Sequence, residues 1–513
     1  MPGLTPSPGS AAEVAAFAAL QARLPRLFRQ VFGDPLAPRT VVVVPGLSMD
    51  PEVLAKVVGC LHYEERQLAM LMLLRLPQTR LVFVSSTPIE PAIVDYHLRL
   101  LEDVSIEDAR RRLVLLSASD ASAVSLTQKI LDRPRLLARL RAAIGDPQLA
   151  HLSVFNGTPL ERSLAVQLGI PLYGCDPVLQ EWGGKSGSRR AFRAAGIGLP
   201  DGVEDLHDTR DVVSALAVVK TRNPALGRAA VKLNYGFSGE GNAVFSFAGC
   251  PDDEIERWVA AHLPLNLTIE ARDLGWDRFA EKLQEQGGIV EAWVTGDGLR
   301  SPSVQLRVTP PGELEVISTH DQILGGPSGQ IFQACTFPAD PAYACEVQSL
   351  ALRVGEVLRS RGVLGRFGVD FVSLPRADGW QHFALEVNLR KGGTTHTFQM
   401  LQLLTRGHYD PQRAEFVTPS GAARCYYATD NVLSPAYRSL TPQDLFEIAA
   451  QRDLRFDAAA QCGVTFGLVG ALSQFGKLGM VAIDVDRDAA RRRFRQAVAV
   501  LDEETAASLP LPP

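Results

Sequence analysis

The sequence predicts an α/β domain followed by a larger α+β body, and three observations carry that prediction. Between residues 40 and 178 short apolar runs alternate with helical patterns, and strands separated by helices build a parallel, doubly wound sheet. From residue 179 onward strand-like runs follow one another with glycine-rich turns between them, as in a mostly antiparallel sheet. Near residue 178 the composition itself changes, at EWGGKSGSRRAF, where glycines interrupt the regular pattern and basic residues gather.

The elements follow in order. Residues 1–10 carry no periodic pattern, and residues 11–32 place apolar side chains at helical spacing, so a tail and an amphipathic docking helix are expected over 1–39. The α/β domain, 40–178, runs TVVVVPG, a helix over 51–75, RLVFVSS, a helix over 91–102, RLVLLSA, a helix over 126–143, HLSVFNG and the closing run IPLYGCDP. The body, 179–410, has strand patterns at 229–233 and 243–247 around a glycine-rich loop, then a long helical region and GIVEAWV. It continues with VQLRVTP, LEVIST, GRFGVDFVSL and HFALEVNLR, and a helix over 341–361 between them. A small C-terminal domain, 411–513, is expected from GVTFGLVGAL and GKLGMVAIDV, joined as a hairpin by SQF, and a last helix to about 503. There is no internal repeat.

Composition excludes several classes of function. The 513 residues are 46% hydrophobic and 21% charged, ordinary for a globular protein of two to four domains. Fifty-seven acidic against 52 basic residues give a net charge of −5, so no basic field exists to hold nucleic acid. The densest basic run, RRRFR at 491–495, follows three aspartates on a helical pattern and reads as a solvated face. Seven scattered cysteines without a C-x-x-C pair point to a reducing cytoplasm, and no segment reaches the length of a membrane span or a secretory leader.

Three stretches carry chemistry. In ALEVNLRKGGTTH, residues 384–396, Glu386 and Asn388 stand two apart in an apolar run, so on a strand they share one face while Leu385, Val387 and Leu389 take the other. In GRFGVDFV, Asp370 lies inside an apolar strand, where an unpaired carboxylate is costly and needs a cation. An ion pair with Arg366 would satisfy it. Taken with Glu386 and Asn388, it instead offers hard oxygens from two neighbouring strands, which suit magnesium shared with nucleotide phosphates. In VKLNYGFSGEGNAVF, Lys232 ends a strand and Gly236, Gly239 and Gly241 punctuate the following loop, so backbone amides can turn toward an anion beside a fixed positive charge. This is neither a Walker loop nor a dinucleotide fingerprint.

These pieces, in this order, resemble the ATP-grasp superfamily, and within it peptide ligases of the pheganomycin type, over roughly residues 40–480. The resemblance implies a Rossmann-like pre-ATP-grasp domain, a two-lobed ATP-grasp body and a small C-terminal α+β domain. It implies that Lys185 and Lys232 contact phosphates, that the glycine loop closes over them, and that Glu291 and Trp293 in IVEAWV belong to the hinge holding adenine. Asp370, Glu386 and Asn388 match the family's metal set, for Mg2+ or alternatively Mn2+, and Arg390 matches its arginine facing phosphate or the activated carboxylate. Arg390, Lys232 and Arg366 are the candidate catalytic cations. The family's usual second acid for the ribose is not clear here, and Asp297 in VTGDG stands near its place.

The expected activity is ATP-dependent joining of a small-molecule or peptide carboxylate to an amine through an acyl phosphate, with kinase or silent nucleotide-binder as rivals and a homodimer allowed. Phosphoryl transfer needs positioning and charge neutralisation, which lysines, an arginine and divalent ions supply. Other residues have plainer readings. His396 touches a substrate or makes a structural hydrogen bond; His320, Asp321 and Gln322 line the cleft or form a polar turn. YEER, 63–66, reads as helix capping and surface charge, and Cys335 and Cys345 as buried apolar side chains.

Overall fold

The computed structural model describes residues 6–236, 241–271, 274–326 and 329–507. The expected α/β unit is a four-stranded sheet in the order Leu113–Ser117, Thr79–Ser85, Arg39–Val44, Ala150–Val154, with every pair parallel. Its strand Arg39–Val44 is buried on both faces, as a parallel sheet covered by helices requires. Val41 and Val43 pack into one core, with Leu81 and Phe83, while Val42 and Val44 pack into another with Val82 and Val84. Two short helices, Ala11–Gln21 and Leu24–Gly33, stand where one was expected. The first is anchored by buried Glu13, which accepts hydrogen bonds from Ser163 (2.5 Å) and Arg162 (3.2 Å).

The body holds two antiparallel sheets. Five strands run in the order Gly202–Leu206, Gly288–Ala292, Arg228–Leu233, Asn242–Ser246, Leu267–Ile269. Eight run in the order Gly379–Asn388, Gly365–Arg376, Pro302–Val308, Leu314–Gly325, Ile331–Phe337, Cys425–Leu433, Lys477–Asp484, Gly463–Gly467. The last three strands of the larger sheet come from beyond residue 411, so the C-terminal hairpin does not build a sheet of its own. Cys425–Leu433 pairs with Ile331–Phe337, Cys335 opposite Ala428, and this covers what would otherwise be an exposed edge. Strand alternation in a sequence identifies a strand but not its partner, which is why this join was not visible.

The second departure lies at 51–75. A helix Pro51–Lys56 ends before Gly59, whose φ of 71° breaks the run, and Cys60–Arg75 is a tight 3-10 helix. That segment is wedged between the parallel sheet and the C-terminal hairpin, whose side chains share one core from Val41 and Phe83 to Met480 and Leu501. Consequently Tyr63, Glu64, Glu65 and Arg66 are buried, not exposed. Each has a partner: Glu64 accepts from the Ser86 amide and hydroxyl, both at 2.6 Å, and Glu65 from the Gly470 amide at 3.1 Å. Arg66 pairs with Asp430, its guanidinium 4.0 Å above the Tyr63 ring. Periodicity reports only that these side chains are polar; burial was decided by a surface 400 residues away in sequence. Cys335 is buried as expected, whereas Cys345 is exposed; all seven cysteines are free. No helix among the described residues is long and apolar enough to cross a membrane.

Burial pushes the Asp430 carboxyl up, but Arg66 and then His396 outweigh it and hold it well below the usual range. A depressed carboxyl stabilises the fold above its ordinary value of about 3.9, and this contribution is lost as pH falls below that. Asp430→Asn, which leaves Arg66 without a counter-charge, is expected to destabilise the protein by about 3–5 kcal/mol at pH 7. The gap between the denaturation midpoints of variant and wild type should stay constant down to about pH 4 and begin to close below it.

Candidate active site

The site starts from a hairpin. Gly365–Arg376 and Gly379–Asn388 pair antiparallel so that Asp370 faces Glu386 directly, and a bulge follows at Phe371. Asn388 ties the two together, its amide nitrogen donating to Asp370 Oδ2 and to Glu386 Oε1, each at 3.0 Å. Opposite the pair stands Lys185, the first residue of the helix Lys185–Ala195, in an ion pair with Glu386. Burial raises the Asp370 carboxyl, while Ser303, Lys185, Arg390 and Asn388 pull it down. Burial, then the charge of Lys232, pushes the Lys185 ammonium down to about 7, and burial also lowers Arg390. Two carboxylates and an amide on one face, with an ammonium already drawn onto them, form a donor set that fits a hard divalent cation.

Lys232 lies in the five-stranded sheet and bonds Glu291 Oε1 at 2.5 Å, while Arg189 meets Glu291 Oε2 at 3.4 Å. The loop after Lys232 is tethered at its base: Asn234 accepts from the Lys185 and Ser186 amides at 3.1 and 2.9 Å. A Cβ on Gly236 would lie 3.2 Å from the Gly241 nitrogen, so the loop's two ends run close together. Gly239 lies outside the described residues. Trp293 follows the Glu291 strand, with the Arg228 guanidinium 5.2 Å from its ring, and Asp297 is exposed on the next turn.

Two cavities adjoin the cluster. One, about 320 Å3, is lined by Lys185, Gly236, Gly241, Asn388 and Arg390 together with Ser48 and Asn156 of the α/β domain. The other, about 270 Å3, is lined by Asp370, Glu386, Asn388, Lys185 and Arg390 on one side and by Arg66, Asp430 and Asn431 on the other. Lys185, Asn388 and Arg390 belong to both, so a phosphate chain in the first would meet a substrate in the second at these residues.

With that geometry in place, the chain's relatives are informative. The sequence profile of the IQCH-like ATP-grasp family matches residues 177–251 and 252–412, and that of the PGM1 C-terminal domain matches 444–497. The chain is 30% identical over 469 residues to an L-propargylglycine–L-glutamate ligase of Streptantibioticus cattleyicolor, covering 90% of this chain and 94% of that one. The chain belongs to the ATP-grasp family. It is also 24% identical to IQ motif-containing protein H of Danio rerio, over 92% of this chain but 49% of that protein, about half its length. Among solved structures, N5-carboxyaminoimidazole ribonucleotide synthetase in its ADP complex matches with TM-score 0.52 at 14% identity, over 91% of this chain and 98% of the other. Biotin carboxylase of Campylobacter jejuni matches with TM-score 0.53 at 10% identity, over 92% and 95% respectively. These two likenesses bear on the fold, which is that of an ATP-grasp enzyme.

In this ATP-grasp ligase, Asp370, Glu386, Asn388, Lys185 and Arg390 come together as the sequence suggested. Arg366 does not join them. It precedes Asp370 by four residues, makes no ion pair with it among the described residues, and faces a different, larger cavity lined by Lys391 and Tyr173. His396 pairs with Asp430 at 3.2 Å from behind the cavity wall and does not itself line the carboxylate cavity, which favours its structural reading. His320 and Asp321 are interior to the strand Leu314–Gly325, not in a turn. His320 bonds the Tyr426 hydroxyl at 2.7 Å, and burial lowers it to about 3; Gln322 does line the cavity. Sequence reasoning took Arg66 for surface charge and missed Asp430 and Asn431 entirely. It also missed Ser303 and Gln305, two apart on Pro302–Val308 with Ser303 opposite Asp370, although polar residues alternating within an apolar strand were a usable signal.

Glu386→Gln keeps the size of the side chain but removes a charge from the donor set. Turnover should fall by at least about 100-fold with nucleotide affinity changed less than tenfold, read by steady-state ADP release beside equilibrium nucleotide binding.

Proposed function

We propose that this ATP-grasp ligase joins a carboxylic acid to an amine, with ADP and phosphate as the other products, at the Asp370–Glu386–Asn388 cluster. The observation that carries this reading is the arrangement of two bridged carboxylates beside Lys185 and Arg390 on the wall of a cavity with room for a small acid. Asp370, Glu386 and Asn388 would hold Mg2+, which neutralises phosphate charge when bound. Lys185 and Lys232 position the phosphates. Arg390 orients the substrate carboxylate, whose oxygen attacks the γ-phosphorus while ADP leaves. The amine nitrogen then attacks the acyl carbon, loses a proton, and expels phosphate. No protein nucleophile is needed, and the enclosing walls from Arg66, Asp430 and Asn431 keep water from the acyl phosphate.

The Streptantibioticus relative is named for L-propargylglycine and L-glutamate, which supports amino-acid-sized substrates as the class to test first. Free cysteines throughout support a cytoplasmic setting. The decisive measurement uses ATP, Mg2+ and a pool of amino acids, with the acid labelled by heavy oxygen in its carboxylate. One label should appear in the released phosphate, because the bridging oxygen departs with it. ADP formation with all label retained on the acid side would exclude the acyl phosphate, and phosphate retained on a product would mark a kinase.

A further inference from the structure

A third cavity, about 550 Å3, lies between the N-terminal helix Leu24–Gly33, the parallel sheet and the large antiparallel sheet. That volume is ample for a small-molecule ligand. Its body is apolar, from residues such as Leu27, Phe28, Val31, Met72 and Phe398, yet five basic side chains line it, Arg39, Arg307, Arg366, Arg390 and Lys391, against the single carboxylate of Glu315. Most of those charges are accounted for. Arg307 pairs with Glu315, Lys391 donates to Gln67 and Ser153 at 2.9 Å each, and Arg39 bonds main-chain carbonyls.

Arg366 is not accounted for. Among the described residues its guanidinium makes neither hydrogen bond nor ion pair, and burial, then Arg307, push it down to about 10. Beside it the buried Tyr173 hydroxyl also lacks a hydrogen bond of normal geometry. The local field is positive throughout: burial, followed by the charges of Lys391 and Arg39, lowers His151 on the same wall to about 4. An apolar chamber holding an unpaired fork of donors and an orphaned hydroxyl is complementary to an amphiphilic anion.

Phe155 lines both this cavity and the carboxylate cavity, and Arg390 lines these two and the phosphate-side cavity as well. The anion held at Arg366 is not the one activated, because the reacting carboxylate must lie at Asp370, Glu386 and Arg390. We propose that this cavity seats the amine substrate, an apolar α-amino acid or short apolar peptide whose own carboxylate rests on Arg366 and Tyr173. The apolar side chain fills the chamber and the amino group points toward the Arg390 boundary. The surrounding cations favour loss of the ammonium proton, leaving the neutral nitrogen that must attack the acyl carbon. This rests on the ligase reading above.

The test separates the two. Wild type, Arg366→Met and Arg366→Lys are given ATP, Mg2+ and a panel of amino-acid carboxylates, first with hydroxylamine, which captures an acyl phosphate without needing an amine site. The same reaction is then run with leucine, phenylalanine and methionine and with their amides, which lack the carboxylate. In wild type the KM for an apolar amino acid should be at least tenfold below that of its amide. In Arg366→Met that preference should vanish and the ratio of coupling to hydroxamate should fall at least tenfold, with partial recovery in Arg366→Lys. Removing an unpaired, half-buried cation should also raise the unfolding temperature, showing that the variant folds. Hydroxamate formed with no coupling to any of these amines, equal KM for acid and amide, or an unaltered ratio in Arg366→Met overturns the assignment. No hydroxamate from any acid would sink the ligase reading itself.

Discussion

Burial of like charge is the constraint around which this protein is built. Asp370 and Glu386 are held side by side by antiparallel pairing, and two half-buried carboxylates repel each other unless cations and donors surround them. Asn388 bridges them, Lys185 pairs with one, and the field of Arg390 reaches the other. These partners arrive from different places: the hairpin itself, the segment that follows it, and the start of a helix 200 residues earlier. Holding them in register requires the helix Lys185–Ala195 to pack tightly; a Cβ on Gly187 would come within 2.0 Å of the Glu181 carbonyl oxygen. The charge problem and the close packing are two sides of one arrangement, since a looser contact would admit water and screen the cluster.

The same logic recurs at the opposite wall. Glu64, Glu65 and Arg66 are carried into the interior by a 3-10 helix and are tolerable there because Ser86 and Gly470 donate to the two carboxylates and Asp430 balances the charge of Arg66. Lys477 reaches back to the Tyr63 hydroxyl at 2.8 Å from the C-terminal hairpin. The hairpin thereby serves two purposes. It covers the parallel sheet with Leu478 and Met480, and through the adjoining strand it brings Asp430 and Asn431 to the rim of the reaction cavity. A stability element and a substrate wall are one piece of chain.

Arg390 marks the boundary between environments that need different solvation. On one side are carboxylates and lysines suited to phosphate chemistry; on the other is an apolar chamber with a surplus of positive charge. Its guanidinium lies 6.0 Å from the Phe155 ring, so the same pair of side chains faces both. Such a junction allows charge to be concentrated where phosphate reacts while keeping a neighbouring site dry enough to hold an apolar group.

Local sequence determined what depends on local spacing. The valine run at 41–44 marked a strand of the parallel sheet, and the E-x-N spacing put Glu386 and Asn388 on one face, because strand side chains alternate with a period of two residues. The glycine-punctuated loop after Lys232 and the α/β order of residues 40–178 were legible for the same reason. What tertiary structure alone decided was which surfaces meet. YEER read as helix capping and surface charge and became a buried layer, and Arg366, read as a catalytic candidate and as an alternative partner for Asp370, lines a separate cavity. Residues beyond 411 read as a separate unit and extended the main sheet. Most of the deciding contacts join residues far apart in sequence, and a side chain's charge or polarity states what it requires without stating which distant group will supply it.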